Sequence, residues 1–192
     1  ELSKITNEQA KNSRVYLIGA TGNPSYEAPR MRYSCSSYAT LGSLREIDPI
    51  TGKNVLLKRG KILGDFNEND YAEKRVWITV RDGERVPVSL VWRKNTVAKS
   101  QAMFITAYGA YEISSDPYFS VARLSMLDRG VLFVQVHVRG GGEMGRAWYE
   151  NGRRRNKKHT FEDFVDITRA LQQAGYASAN QTVANGGSAG GL

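Results

Sequence analysis

The 192-residue sequence holds a single cysteine, Cys35, so no disulfide can form within it, and that content fits a reducing, cytoplasmic compartment. No run approaches the roughly 18 apolar residues of a membrane span, and no charged stretch followed by an apolar one opens the chain, so no membrane partner is expected from these residues. Charge of negative sign is scarce: 19 Asp and Glu face 27 Lys and Arg, a net +8 that invites a nucleic-acid reading. The densest basic cluster, Arg153-Arg154-Arg155 with Lys157-Lys158, lies between Gly152 and a strong helix start at Thr160, and it reads as a solvated loop. Arg139-Gly140-Gly141-Gly142 occurs once, after an apolar strand, whereas RGG binders repeat the unit in disordered tracts, so no nucleic-acid partner is expected. The hydrophobic content of 41% is that of an ordinary folded protein.

The first seventy or so residues read as short strands separated by turns: 15–20, 31–36, 44–47 and 55–58. Between the last two, Asp48-Pro49-Ile50-Thr51-Gly52-Lys53 carries proline and glycine where a turn wants them. Four such strands suit one blade of a propeller or part of a sandwich. From Tyr71 the texture changes. Strands 76–81 and 86–92 read as a hairpin across Asp82-Gly83, a two-residue turn signal. Runs 103–108 and 131–138 are continuously apolar, as strands covered on both faces should be. Helical spacing is expected over 118–128, ended by Gly130, and over 160–174, with Thr160 as N-cap, Asp163 three residues on, and a stop at Gly175. Hairpin, strand, helix, strand, helix, strand is the order of an α/β fold, with crossovers long enough for a parallel sheet.

The last strand, 182–185, is short and apolar and reads as buried. It runs into Gly186-Gly187-Ser188-Ala189-Gly190-Gly191, the pattern of a nucleophile elbow, in which a strand turns sharply into a helix and exposes a serine hydroxyl. A serine held at positive φ leaves no room for side chains two residues before and after it, which is why Gly186 and Gly190 suit the turn. About 0.14 matches to Gly-x-Ser-x-Gly are expected by chance in such a chain, so the weight rests on the strand that precedes it. His137 and His159 are the only histidines, and both precede Ser188, whereas an α/β-hydrolase runs serine, acid, histidine. His137 reads as a strand side chain and His159 as a polar residue beside the helix cap.

The segments His137 to Gly145, Trp148 to Gly152, Thr160 to Phe164 and Gly186 to Gly191 resemble the prolyl oligopeptidase family of serine peptidases. Arg123 to Gly130 and Arg81-Asp82-Gly83 followed by Val86 to Val91 are most similar to its oligopeptidase B branch. The resemblance runs from about Arg30 to Leu192. It implies the end of a β-propeller over 1–72 and the N-terminal portion of an α/β-hydrolase catalytic domain over 73–192. Because the chain opens at Glu1 and stops four residues after the serine, it reads as an internal fragment whose catalytic Asp and His lie beyond Leu192.

Residue by residue, the resemblance implies Ser188 as nucleophile, the backbone N–H of Ala189 and the hydroxyl of Tyr108 as oxyanion donors, and Asp116 as a carboxylate that helps bind a basic substrate side chain. The family places a glycine where this chain has Ala107, just before that tyrosine. No cofactor and no metal is implied. The partners implied are short peptides cut after Arg or Lys; a prolyl oligopeptidase or an acylaminoacyl peptidase is the nearest alternative. A reading of another class is a basic, nucleic-acid-binding or inactive module with a structural elbow. The run Arg139 to Gly145 lacks the Gly-Lys-Ser/Thr of a phosphate loop and is assigned to a family-specific turn.

Overall fold

A computed structural model describes residues 15–95 and 102–192, and these divide into two compact units. The first takes in 15–73 and 116–121, the second 74–95, 102–115 and 122–192. The part of the propeller expectation that falls on residues 1–14 lies outside the described residues.

In the first unit, β1 (Tyr16–Ala20), β2 (Met31–Ser37), β3 (Ser43–Ile47) and β4 (Asn54–Arg59) form an antiparallel meander in chain order. Tyr33 and Cys35, two apart on β2, point to one face and pack with Ile47. The β3–β4 turn is built by Asp48, whose carboxylate accepts the N–H groups of Ile50 and Thr51 at 2.9 and 3.0 Å, and by Gly52 at φ +73°. Those two N–H groups hold the Asp48 carboxyl below its ordinary range. Buried Glu73 gathers the Ser37 hydroxyl and the N–H groups of Ala39 and Val15, so its charge is spread over several donors.

The second unit is built on a mixed five-stranded sheet. Its strands are β5 (Tyr71–Thr79, whose first three residues belong to the first unit), β6 (Arg85–Arg93), β7 (Met103–Thr106), β8 (Leu132–Val136) and β9 (Thr182–Asn185), in the order β5-β6-β8-β7-β9. β7 runs parallel to β8 and β9, and β6 runs antiparallel to β8. Helix α1 (Val121–Leu127) connects β7 to β8; α2 (Arg146–Glu150) and α3 (Lys157–Gln173) connect β8 to β9. Val88, Leu90, Ile105, Val134 and Val136 are among the sheet residues of the core, onto which Trp148 of α2 and Ile167 and Leu171 of α3 pack. α3 ends as expected of a chain reaching Gly175, at φ +82°: Gly175 N–H donates to Gln172 O and Tyr176 N–H to Leu171 O, the paired bonds of a Schellman stop.

Four expectations are corrected. The β5–β6 turn has three residues, Arg81 to Gly83, closed by Val80 N–H to Glu84 O at 2.9 Å, with Gly83 at φ +88° completing a type I turn and bulge. α3 starts at Lys157 with Asn156 as cap, so Thr160 is not the N-cap. The spacing Thr160-x-x-Asp163 instead puts both residues one turn apart on the buried face, where Arg139 claims Asp163. The basic stretch is solvated at Arg154, Arg155 and Lys158, as expected, but it is not a loop: Arg154–Asn156 is a 3-10 turn, Lys157 and Lys158 open the helix, and Lys157 is half-buried. Finally, β9 is exposed, because among the described residues it is the sheet's edge and pairs only with β7; Val183 is 59% accessible. α2 was not anticipated, since five residues are too few to show a helical period.

Candidate active site

Register brings the candidate residues together. β7 and β9 are parallel with Thr106 opposite Asn185, so the segments that follow them, Ala107-Tyr108 and Gly186-Gly187-Ser188, leave the sheet side by side. The chain turns at Ser188, which sits at φ +53° and opens a 3-10 turn to Gly191, with Gly190 N–H bonded to Gly187 O at 2.9 Å. A non-glycine residue in the left-handed region costs on the order of 1 kcal/mol and is held there only by its surroundings. Here the surroundings are backbone. A Cβ on Gly186 would overlap the Gly190 carbonyl, and one on Gly190 would lie 2.6 Å from Ala107 O and 3.2 Å from Tyr108 Cα. Ser188 is exposed at this turn. Tyr108 and Ala189 line one cavity of about 380 Å³ with Phe161 and Phe164 of α3.

The direction in which Tyr108 leaves β7 is set one residue later. Gly109 has φ +66°, and a Cβ there would meet Thr160 Cγ2 and Val138 Cγ2 at 2.5 Å each. Its carbonyl accepts the Lys157 ammonium at 2.6 Å, and Glu112 N–H donates to Gly140 O at 3.3 Å. The glycines after β8 therefore allow main chain to lie against main chain, which is the role the phosphate-loop comparison could not supply. Thr160 adds a hydroxyl bond to Arg139 O at 2.6 Å.

Arg139 is the anchor of that segment. Its guanidinium binds Asp163 through Nη2 at 2.6 Å and through Nε, its own N–H also reaches Asp163 Oδ2 at 3.0 Å, and Nη1 binds Asp82 at 2.6 Å. Arg139 and Asp163 are buried, so this pair ties the end of β8 to α3 in a low-dielectric setting. Burial works against the Arg139 charge, but Asp163 and Asp82 outweigh it and raise its affinity for the proton.

A second arrangement was missed in the sequence. His137 Nδ1 lies 3.3 Å from Glu143 Oε1, and its Nε2 lies 2.9 Å from Ser89 Oγ and 3.3 Å from Arg75 Nη2. A guanidinium has no acceptor, so Nε2 accepts and the proton sits on Nδ1, donated to Glu143. Glu143 Oε1 also accepts Ser115 N–H at 2.9 Å. Burial pushes the Glu143 carboxyl up, but the His137 and Ser115 donors prevail and hold it below its ordinary range. Carboxylate, imidazole and hydroxyl are thus in triad-like sequence, yet Ser89 is fully buried and Arg75 occupies the nitrogen that a base would use. The network braces the sheet. His159, the other histidine, lies in the first turn of α3 and donates from Nδ1 to Asn151 O at 2.8 Å. Neither histidine is positioned as a base for Ser188.

Asp116 belongs to the first unit and is exposed; it follows Ser115, whose N–H Glu143 holds. Among the described residues no group of His, Cys, Asp and Glu could hold a metal ion, and no helix is long and apolar enough to cross a membrane.

A model described as the prolyl oligopeptidase family matches residues 117–192. Dipeptidyl aminopeptidase BI of Pseudoxanthomonas mexicana is 44% identical over 180 residues, covering 93% of this chain and 25% of the relative. Protease 2 of Moraxella lacunata is 33% identical over 179 residues, covering 93% and 26%. Among solved structures, oligopeptidase B from Leishmania major superposes with a TM-score of 0.85 at 32% identity, covering 92% of this chain and 25% of that one. Oligopeptidase B from Trypanosoma brucei with covalently bound antipain, in a closed form, gives 0.85 at 34% identity, covering 92% and 26%. The chain spans about a quarter of the length of these relatives.

Proposed function

We propose that the chain belongs to the prolyl oligopeptidase family of serine peptidases and carries the nucleophile and oxyanion half of an oligopeptidase acting on short peptides after Arg or Lys. The observation that carries the reading is Ser188 at φ +53° on a turn from strand to 3-10 helix, in which Gly186 closes against Gly190 and Gly190 against Ala107 and Tyr108. Residues 73–192 are then the opening of an α/β-hydrolase domain, a division supported by the parallel β7–β8–β9 core ending at the elbow. The meander β1–β4 is then the end of a propeller, and the single cysteine fits a cytoplasmic location.

In this mechanism Ser188 Oγ attacks the scissile carbonyl and gives up its proton to a base. Neither His137 nor His159 supplies that base, because both are committed elsewhere. Negative charge builds on the carbonyl oxygen, where the N–H of Ala189 and the hydroxyl of Tyr108 donate to it; loss of one such donor costs about 3 to 4 kcal/mol. The amine leaves with the transferred proton, and water then hydrolyses the acyl-Ser188 ester. Asp116 supplies a carboxylate for a basic side chain of the substrate, a role its exposure permits and its chemistry suits.

The 44% identity to a relative named for dipeptidyl aminopeptidase activity favours a second reading, removal of dipeptides from a free amino terminus. Full-length protein is assayed on amino-blocked Arg-Arg, free-amino Arg-Arg and Gly-Pro fluorogenic peptides, with Ser188→Ala alongside. The proposal expects cleavage of the blocked Arg-Arg peptide and a loss of at least about a thousandfold in Ser188→Ala. Turnover restricted to the free-amino peptide supports the second reading, and preference for Gly-Pro overturns basic specificity.

A further inference from the structure

We infer that Lys157 is a positioning residue for the oxyanion tyrosine, acting on Tyr108 through the Gly109 carbonyl. The inference rests on the peptidase reading of Ser188 and Tyr108. Lys157 is the first residue of α3, and its ammonium lies 2.6 Å from Gly109 O. The neighbouring Lys158 behaves as a surface lysine, 81% exposed and paired with Glu162 at i,i+4. Lys157 instead is half-buried, stands 5.7 Å from the centre of the Phe161 ring, and has no carboxylate within ion-pair distance among the described residues.

Burial of a cation without a counterion is costly, and burial alone lowers the Lys157 pKa below its ordinary value. A neutral side chain would avoid that cost, so the charge is useful where it stands: it holds a main-chain carbonyl whose glycine is in the left-handed region. Gly109 could rotate away from φ +66° at little intrinsic cost, since glycine visits that region and its mirror almost equally. The charged bond to its oxygen, with Thr160 and Val138 filling the space beside its Cα, removes that freedom. The held carbonyl belongs to the Gly109–Ala110 peptide; with Gly109 wedged at φ +66° between that anchor and the Thr160 and Val138 side chains, the Tyr108–Gly109 peptide before it is fixed too, and with it how the tyrosine leaves β7 toward Ala189.

The test uses full-length protein with an Arg-Arg fluorogenic peptide and compares Lys157→Met, Lys157→Arg, Tyr108→Phe and the double variant Tyr108→Phe with Lys157→Met. Lys157→Met is expected to lower kcat about 10- to 100-fold, as a displacement near 1 Å does, while KM changes less than about threefold. Lys157→Arg, which keeps a charged donor, should recover to within about fivefold of wild type. The double variant should be no slower than Tyr108→Phe alone by more than about threefold, because both changes remove one function. A merely structural lysine would multiply the two losses in full. That outcome, or a Lys157→Met kcat within about twofold of wild type, overturns the inference. Should Lys157→Met melt below the assay temperature, Lys157→Gln carries the same comparison with Tyr108→Phe. Ser188→Ala separates the two levels: continued turnover there refutes the peptidase reading, whereas an inactive Ser188→Ala beside a fully active Lys157→Met removes only the role of Lys157.

Discussion

Alanine placed at each of three elbow glycines should give three different results. On Gly187, at φ −134°, a Cβ meets nothing within 4 Å, so Gly187→Ala should change stability by less than about 1 kcal/mol. On Gly190 the Cβ would lie 2.6 Å from Ala107 O, where real contacts begin at 3.0 Å, so the β7 end must retreat by about 0.4 Å or more. The obstructing atom is main chain and cannot rotate aside. Over-packing of this kind costs about 1 to 3 kcal/mol, and the retreat carries Tyr108, whose Cα is 3.2 Å from the new atom. Displacement of that proposed oxyanion donor should slow modification of Ser188 by a fluorophosphonate about 10- to 100-fold. On Gly186 the Cβ overlaps the Gly190 carbonyl, within the turn that holds Ser188 at φ +53°, so Gly186→Ala should lose the elbow and nearly all labelling. The assay is the second-order labelling rate of full-length protein with a thermal unfolding curve for each variant. Equal losses at all three positions, or a Gly190→Ala protein that labels and melts like wild type, would refute the steric account.

Asp163→Asn leaves the buried Arg139 guanidinium with only the partly exposed Asp82 carboxylate and should cost about 3 kcal/mol in denaturant unfolding; a change below about 1 kcal/mol contradicts the anchoring role. Hydrogen bonding to Arg81 holds the Asp166 carboxyl at about 2 against an ordinary 3.8. A depressed carboxylate stabilises fully above its ordinary value and loses that contribution as pH falls through about 2. The stability gap between wild type and Asp166→Asn should therefore close as pH falls from about 4 to about 2, and a gap that widens on acidification has the wrong sign for this pair.

The strands of both units were legible because alternation and apolar runs act over neighbouring residues: Tyr33 and Cys35 face one way on β2, and the apolar run of β8 is buried between β6 and β7. The helix α3 was legible in its middle and at its stop but not at its start. Thr160-x-x-Asp163 carries the same letters whether Thr160 caps a helix or lies a turn inside it, and the choice was made by Arg139, 24 residues before Asp163. Within the basic run Lys157 departs from a solvated reading for the same reason, since the acceptor that draws it inward is a carbonyl 48 residues away. Burial of β9 was misjudged because an apolar strand looks alike at the centre and the edge of a sheet; only pairing distinguishes them.

At the site, what could be read locally was the steric demand of the elbow, because Gly186, Ser188 and Gly190 lie within five residues and constrain one another directly. What could not be read is why the glycines after β8 are glycines. Gly140 backs onto Gly109, Gly109 is wedged by Val138 and Thr160, and its carbonyl binds Lys157. Three segments distant in sequence thus meet through main-chain atoms, which carry no residue-specific signature. The same geometry explains why the Ser89–His137–Glu143 chain does not act as a second triad: its members converge because β6 and the end of β8 are neighbours in the sheet, and Arg75 then consumes the nitrogen on which catalysis would depend. Exposure separates Ser188 from Ser89, and it is not written in the residue types.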